Sequence, residues 1–528
     1  MGIRICVEKI NRKGEIMQKP ISFEELDFNL ASSMKETRKT LETGTPFHIL
    51  VMGDFSGRKN RGQDQSDPEL TTLQPLLVDR DNFDTLLAKL DVEIHLPILG
   101  EKAPPICISF SELDDFHPDT LFQRLDIFQA LKDTRDSLKD PTTAAAFAGG
   151  LMKTTAIEKE IELPKPVIEQ SSGDLLDQII DKTQPNDQQT PSAEPETQWD
   201  AFLHNIVKPH LVPKTHPKQK EMMDAVDAAA SELMQIILHH EDFKATEAAW
   251  RGLDFLVSRL ETDEQLKLFI LDITKTELTK DLTATDDLYT TALYKLWVDQ
   301  PAGTAGRLPW AVVAGNYTFE KQNKDLVLLG RIAKITKAAG TCFIAAAKDR
   351  FLCKNSLVET PDPDDWQPRE DQEVEKIWQA LRQMPEAANI GLGLPRLLLR
   401  LPYGADTDPV DAFNFEEMPG IPLHENYLWG NPCFAIILLL GQSFSLQGRP
   451  MSPGSILDID SLPLHIYKEK GEPHLTPCAE MLLSQPAAEQ ILDKGLMPLL
   501  SFLNQDRIRL TRFQSIADPL TRLAGPWS

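Results

Sequence analysis

From residue 46 the chain alternates short apolar runs with polar punctuation, and the period of the alternation predicts the elements. PFHILVMG (46–53) is an unbroken apolar run closing on glycine, the pattern of a strand buried on both faces. After an acidic polar loop, RGQDQSDPE, the stretch LLVDRDNFDTLLAKL reads as a strand and a helix, and VEIHLPI and PICISF read as strands. In DDFHPDTLFQRLDIFQALKDTRDSL, Phe122, Leu125, Phe128, Leu131 and Leu138 recur at helical spacing, predicting one helix with one apolar face that starts at Pro118 or Asp119. The N-terminus, MGIRICVEKINRKGEIMQKPISF, carries hairpin chemistry around NRKGE. Residues 1–140 are therefore expected to form an α+β unit.

Between 141 and 200 the pattern loosens. Residues 164–199 hold five prolines among Gln, Ser, Asp and Thr, a composition that cannot bury enough surface to offset its ordering entropy. A flexible linker is expected. One island interrupts it: SSGDLLDQIIDKT, where Leu175, Leu176, Ile179 and Ile180 make an apolar stripe on an amphipathic helix near 174–183. An amphipathic turn on a tether marks a docking element.

From 201 to 528 the chain reads as a second unit. It opens on a long helix, KQKEMMDAVDAAASELMQIILHHEDFKATEAAWRGLDFLVSRL, with a break expected near HHEDF. Trp250 and its apolar neighbours share a face of that helix and are expected in the core, Gly252 allows a close backbone approach, and Arg251 should make an ion pair. Strand and helix patterns then alternate: KLFILDI, a helix with LYKLW, WAVVAGNYTF, the helix DLVLLGRIAKITKAAG, TCFIAAA and PRLLLRLPYG. That alternation predicts an α/β domain with a largely parallel sheet.

Composition narrows the function classes. A chain of 528 residues exceeds a single core, and a net charge of −25 disfavours nucleic acid and anionic membrane as partners. The longest apolar runs, CFAIILLLG and GLGLPRLLLRLPYG, fall short of the roughly 20 residues a membrane span needs. No export signal is visible at the N-terminus, so a cytoplasmic protein is expected. The six cysteines are scattered without a CxxC pair, the pattern of reduced thiols, and predict neither disulfides nor zinc.

Candidate chemistry is sparse. GDFSGRKN echoes a phosphate-binding loop, but only three residues separate Gly53 from Gly57, Arg58 stands where the loop needs lysine, and no hydroxyl follows. GLGLPR lacks the third glycine of a dinucleotide fingerprint, and Pro395 blocks the helix that would receive the pyrophosphate. His239 and His240 are adjacent and lack metal-binding helical spacing, so a structural role is expected. His204, His210 and His216 read as loop residues. Cys478, with His465 and His474 nearby in sequence, is the one candidate nucleophile and the basis of a weaker, cysteine-enzyme alternative. No catalytic, cofactor or metal set is predicted.

Three stretches of the first unit, PFHILVMGDFSGR, VDRDNFDTLLAKL and DDFHPDTLFQRLDIFQALKDTRDSL, resemble the small sheath subunit of type VI secretion systems, TssB (VipA, ImpB). The second unit resembles the large subunit, TssC (VipB, ImpC/EvpB), through ILHHEDFKATEAAWRGLDFLV, LYKLW, WAVVAGNYTF, IGLGLPRLLLRLPYG, FNFEE, YLWGNPCFA, PCAEMLL and GLMPLLSF. Carried in one chain, the two resemble the fused, ImpD-type paralogue. The resemblance implies a non-catalytic component of the contractile sheath, or an accessory cap, baseplate or regulatory paralogue that binds sheath subunits. It implies TssB and TssC subunits or self as partners, with the Hcp inner tube, the baseplate and a ClpV-type AAA+ ATPase, whose docking helix in TssC the island around Leu176 resembles. It also implies that GDFSGR is a strand and turn, with Gly53 and Gly57 permitting the turn and Arg58 and Lys59 left for solvent or a neighbour. Conventional large subunits continue past the point matching RFQSIADPL, so the usual C-terminal extension is expected to be lacking.

Overall fold

The apolar run at 46–53 does become a strand, but its partners lie more than two hundred residues away. The computed structural model describes residues 45–65, 73–98, 104–139, 219–303, 309–354, 356–367 and 371–527. The N-terminal hairpin, the 141–200 segment with Leu175, Leu176, Ile179 and Ile180, and His204, His210 and His216 lie outside the described residues.

The first segment supplies β1 (Phe47–Gly53), β2 (Leu76–Val78), α1 (Phe83–Lys89), β3 (Val92–Leu96), β4 (Ile106–Phe110), α2 (Pro118–Arg124) and α3 (Gln129–Lys139). After 218 come α4 (Gln219–His239), α5 (Glu241–Arg259), β5 (Leu266–Asp272), α6 (Lys275–Thr283), β6 (Trp310–Phe319), α7 (Asn323–Ala339), β7 (Cys342–Ala347), α8 (Gln372–Arg382) and β8 (Ile390–Leu394). The remainder holds β9 (Leu397–Leu398), β10 (Trp429–Gly430), α9 (Pro432–Gln447), β11 (Asp458–Ile459), the hairpin of β12 (His465–Glu469) and β13 (Glu472–Thr476), α10 (Gln485–Asp493), β14 (Met497–Ser501) and β15 (Ile508–Leu510). LYKLW runs through a short helical turn into a π-turn, Lys295–Asp299.

The main sheet has nine strands in the order β11-β15-β14-β8-β7-β6-β1-β5-β2. From β14 through β8, β7, β6 and β1 to β5 every pair is parallel, while β2, β15 and β11 join antiparallel at the margins. β1 is an interior strand. Side chains alternate across it as a two-residue period requires. Phe47, Ile49 and Val51 enter one core with Trp250 and Leu253 of α5 and Phe434 and Ile437 of α9, whereas Leu50 and Met52 enter the other with Leu328 and Ile332 of α7. Both faces of the sheet are therefore covered, which explains the continuous apolar pattern of its inner strands. The resulting fold is mixed α/β and α+β, and the two segments share one sheet.

Two sequence expectations are corrected. The single helix expected from Pro118 or Asp119 through Leu138 is broken: α2 stops at Leu125, whose backbone is extended (φ −82°, ψ 128°), and a 3-10 turn at Asp126–Phe128 leads into α3. His117 caps α2 through Nδ1 and Pro118 occupies its first turn, while Phe122, Leu125, Phe128, Leu131 and Leu138 are all buried across the interruption. The strand expected at PRLLLRLPYG is instead formed by the preceding IGLGL, and only Leu397 and Leu398 pair further, with β10. Pro395 has no amide for the ladder, so the strand ends before it.

Candidate functional site

The site with most cross-chain chemistry is the junction where β1 leaves the sheet. Gly53 is in register with Asp272, the last residue of β5. The Asp272 carboxylate accepts from the Phe55 amide at 2.8 Å, the Ser56 amide at 3.2 Å and the Ser56 hydroxyl at 2.6 Å. Asp54 caps the following turn, accepting from the amides of Arg58 at 2.7 Å and Lys59 at 3.0 Å. Gly57 completes it at φ +80°, and a Cβ there would sit 2.4 Å from the Glu93 carbonyl oxygen, so only glycine fits.

Arg58 corrects a sequence expectation. It is not left for solvent: its guanidinium meets the fully buried Glu277 carboxylate, with Nη2 at 2.5 Å from Oε1. Glu277 also closes a capping box with Thr274 at the start of α6. The Glu277 hydrogen bond raises the Arg58 pKa, and burial pushes the Asp272 carboxyl up against the opposing pull of its Ser56 and Phe55 donors. Lys280 of α6 donates to the Asp64 carbonyl at 2.8 Å, and Asn60 donates to Asp242 of α5 at 2.9 Å.

Trp250 seals the junction from α5. It is fully buried, its Nε1 donates to the Phe55 carbonyl at 2.8 Å, and its ring meets Phe55 and Phe83 edge to face, with centroids 5.7 and 5.6 Å away. Two residues on, Gly252 lets α5 press on α9, since a Cβ would lie 2.4 Å from the Phe434 ring. At Gly53 the contact is looser, 3.1 Å to the Asn316 Cβ.

A second network holds the same middle stretch of α5 through Glu247 and Arg251. Glu247, fully buried, accepts from Arg251 Nε at 2.7 Å and Arg400 Nε at 2.7 Å. Arg400 also reaches Glu417 at 2.7 Å, the Glu417 carboxylate accepts from the Tyr403 amide at 2.8 Å, and Arg251 donates to the Tyr403 hydroxyl at 2.9 Å. Two guanidiniums balance two carboxylates, and despite the desolvation of its burial Arg400 and Arg251 hold the Glu247 pKa below its ordinary value. His240 caps α5 at the helix break by accepting from the Asp242 amide, while the buried His239 Nε2 lies 3.7 Å from Glu417 without a hydrogen-bond partner among the described residues.

A cavity of about 330 Å³ beside the junction is lined by Arg58, Arg61 and Lys89, but also by Asp91 and Asp272, and Arg58 is already committed to Glu277. It offers no phosphate cradle. Cys478 is buried, its Sγ faces the Gln505 carbonyl at 3.5 Å, and burial with Asp506 nearby pushes the thiol up to about 11. Activated thiols move the other way. His465 is engaged by the Tyr427 hydroxyl at 2.7 Å.

Sequence reasoning singled out Gly53, Gly57, Trp250 and Gly252, and the structure brings all four to α5 and the turn it covers. It passed over Asp272, Glu277, Glu247, Arg400 and Glu417. The only signal for these was a charge set in an apolar context, as in LLLRL around Arg400 and at the end of KLFILDI.

Comparison with known proteins bears on the same elements. Residues 220–517 match the family model described as EvpB/VC_A0108, tail sheath N-terminal domain. Residues 27–162 match the model described as Type VI secretion system, VipA, VC_A0107 or Hcp2. Over 311 residues the chain is 33% identical to the type VI secretion system sheath protein TssC1 of Pseudomonas aeruginosa, an alignment covering 57% of this chain and 61% of that protein. The chain thus spans less than two thirds of the length of this relative.

Proposed function

The chain belongs to the EvpB/VC_A0108 tail-sheath family, and from that premise we propose that it is a structural protomer of a type VI secretion contractile sheath. In this reading its small-subunit and large-subunit parts are carried in one polypeptide, it works in the cytoplasm, and it performs no catalysis. The observation that supports the reading most is the place of β1. A strand from the residues that match VipA lies between two strands from the residues that match the tail-sheath domain, and is parallel to both. A sheet completed in this way needs both parts, as expected of a protomer otherwise made from two chains.

Among the described residues no helix is long and apolar enough to cross a membrane. The proposed partners are sheath subunits or further copies of the chain, with the inner tube, the baseplate and a ClpV-type ATPase as the other contacts of the machine. Assembly would use the sheet margins, where short strands such as β2 offer unpaired backbone groups to a neighbour. Electron microscopy of the purified chain, alone and mixed with cognate sheath subunits, tests the proposal. Tubes or rings containing the chain are expected. A chain that neither polymerises nor enters the subunits' assemblies would overturn it.

A further inference from the structure

The outer face of the β3–β4 hairpin carries three side chains of types that bind transition metals. β3 and β4 pair antiparallel with His95 directly opposite Cys107 and Glu93 opposite Ser109. Glu93 and His95 are two residues apart, so both project to the same face as Cys107. That face is the outer one: Val92, Ile94, Leu96, Ile106, Ile108 and Phe110 are buried on the inner face, while Cys107 is exposed.

The backbone brings these side chains as close as a sheet allows. The amides of Glu93 and His95 point away from β4, toward the turn after β1. Glu93 donates to the Ser56 carbonyl at 3.3 Å, His95 donates to Asn60 Oδ1 at 2.6 Å, and Asn60 Nδ2 returns a bond to the His95 carbonyl at 3.0 Å. His95 and Cys107 therefore form a non-hydrogen-bonded pair, the class with the shorter side-chain separation. Asn60 is itself held by Asp242, so the platform is anchored to α5.

We propose that Glu93, His95 and Cys107 bind a zinc-type divalent ion through one carboxylate oxygen, one imidazole nitrogen and one thiolate. Their donor atoms all lie within 4.8 Å of one another. A tetrahedral zinc ion with ordinary bond lengths sets such atoms roughly 3.3–3.6 Å apart, so side-chain rotation completes the site without backbone movement. The contact between His95 Nε2 and Glu93 Oε1, now 2.6 Å, opens by less than about 1 Å to admit the ion. A thiolate and an imidazole select a borderline-soft ion over magnesium or calcium, and a water fills the fourth position on the solvent side. Because the thiolate is the ligand, binding displaces the Cys107 thiol proton to solvent. With no CxxC in the sequence, the strand register alone creates this set.

The test uses the full chain, stripped with a chelator and titrated with Co²⁺ under anaerobic conditions. One equivalent of cobalt is expected, with a thiolate-to-metal charge-transfer band that added Zn²⁺ abolishes. Cys107→Ser should remove that band, and His95→Gln and Glu93→Gln should each weaken binding by about tenfold or more, all with unchanged far-ultraviolet circular dichroism. Absence of the band in the parent protein, or its survival in Cys107→Ser, overturns the proposal.

Discussion

Trp250→Ala removes the side chain that fastens α5 to the turn after β1, and its cost can be built up from the contacts. Trp250 is fully buried, so truncation leaves a cavity the surrounding sheet and helix cannot close, which costs about 3–5 kcal/mol for a large aromatic. Within that total, the Phe55 carbonyl loses its 2.8 Å donor, a loss of roughly 1–3 kcal/mol for a buried acceptor, and two edge-to-face ring contacts vanish. Trp250→Phe separates these parts. It keeps most of the ring and loses the donor, so it should cost about 1–3 kcal/mol. The assay is equilibrium urea unfolding of the intact chain, followed by both circular dichroism and limited proteolysis of 45–139. Because β1 is interior to the sheet, both signals should shift together to a lower midpoint. If Trp250→Ala released the first segment while the rest kept the parent midpoint, the strand would not be integral to the core, and the reasoning would fail.

Other perturbations probe the remaining links. Arg400→Met leaves buried Glu247 paired only with Arg251 and buried Glu417 without its guanidinium, and should destabilise by about 3–5 kcal/mol, read from urea midpoints. His48, on β1 between Phe269 and Trp310, has its pKa lowered from 6.5 to about 4 by burial and then by Lys267 and Arg449. With the pKa depressed in the folded state, stability is full above the unfolded pKa and should fall by roughly 3 kcal/mol at most as the pH drops from 6.5 through about 4, and His48→Phe should flatten that part of the melting curve. Leu176→Asp with Ile180→Asp should abolish binding to a ClpV-type N-domain without changing the melting temperature; unchanged binding would remove the docking proposal.

The strands were legible because burial on both faces leaves an unbroken apolar run, as in PFHILVMG, WAVVAGNYTF and TCFIAAA. The helix break at His240 was legible from HHEDF. The break at Leu125 was not, since a restart through a 3-10 turn keeps the apolar residues buried and so preserves their spacing. Periodicity also cannot say which strands pair. Nothing local to residues 46–53 indicates that the strand lies between 266–272 and 310–319, because parallel pairing is set by tertiary packing. The same limit hid the ionic partners: Arg58 and Glu277 are 219 residues apart, and Arg400 and Glu247 are 153 apart.

The central claim is that both segments build one protomer around β1, and cutting the chain between them tests it most directly. A site-specific protease sequence placed within 184–198, followed by cleavage and size exclusion in native buffer, asks whether the sheet alone holds the halves together. The account predicts that both fragments elute together at the volume of the uncut chain and separate only in denaturant. Two fragments that elute apart, each still folded, would contradict it.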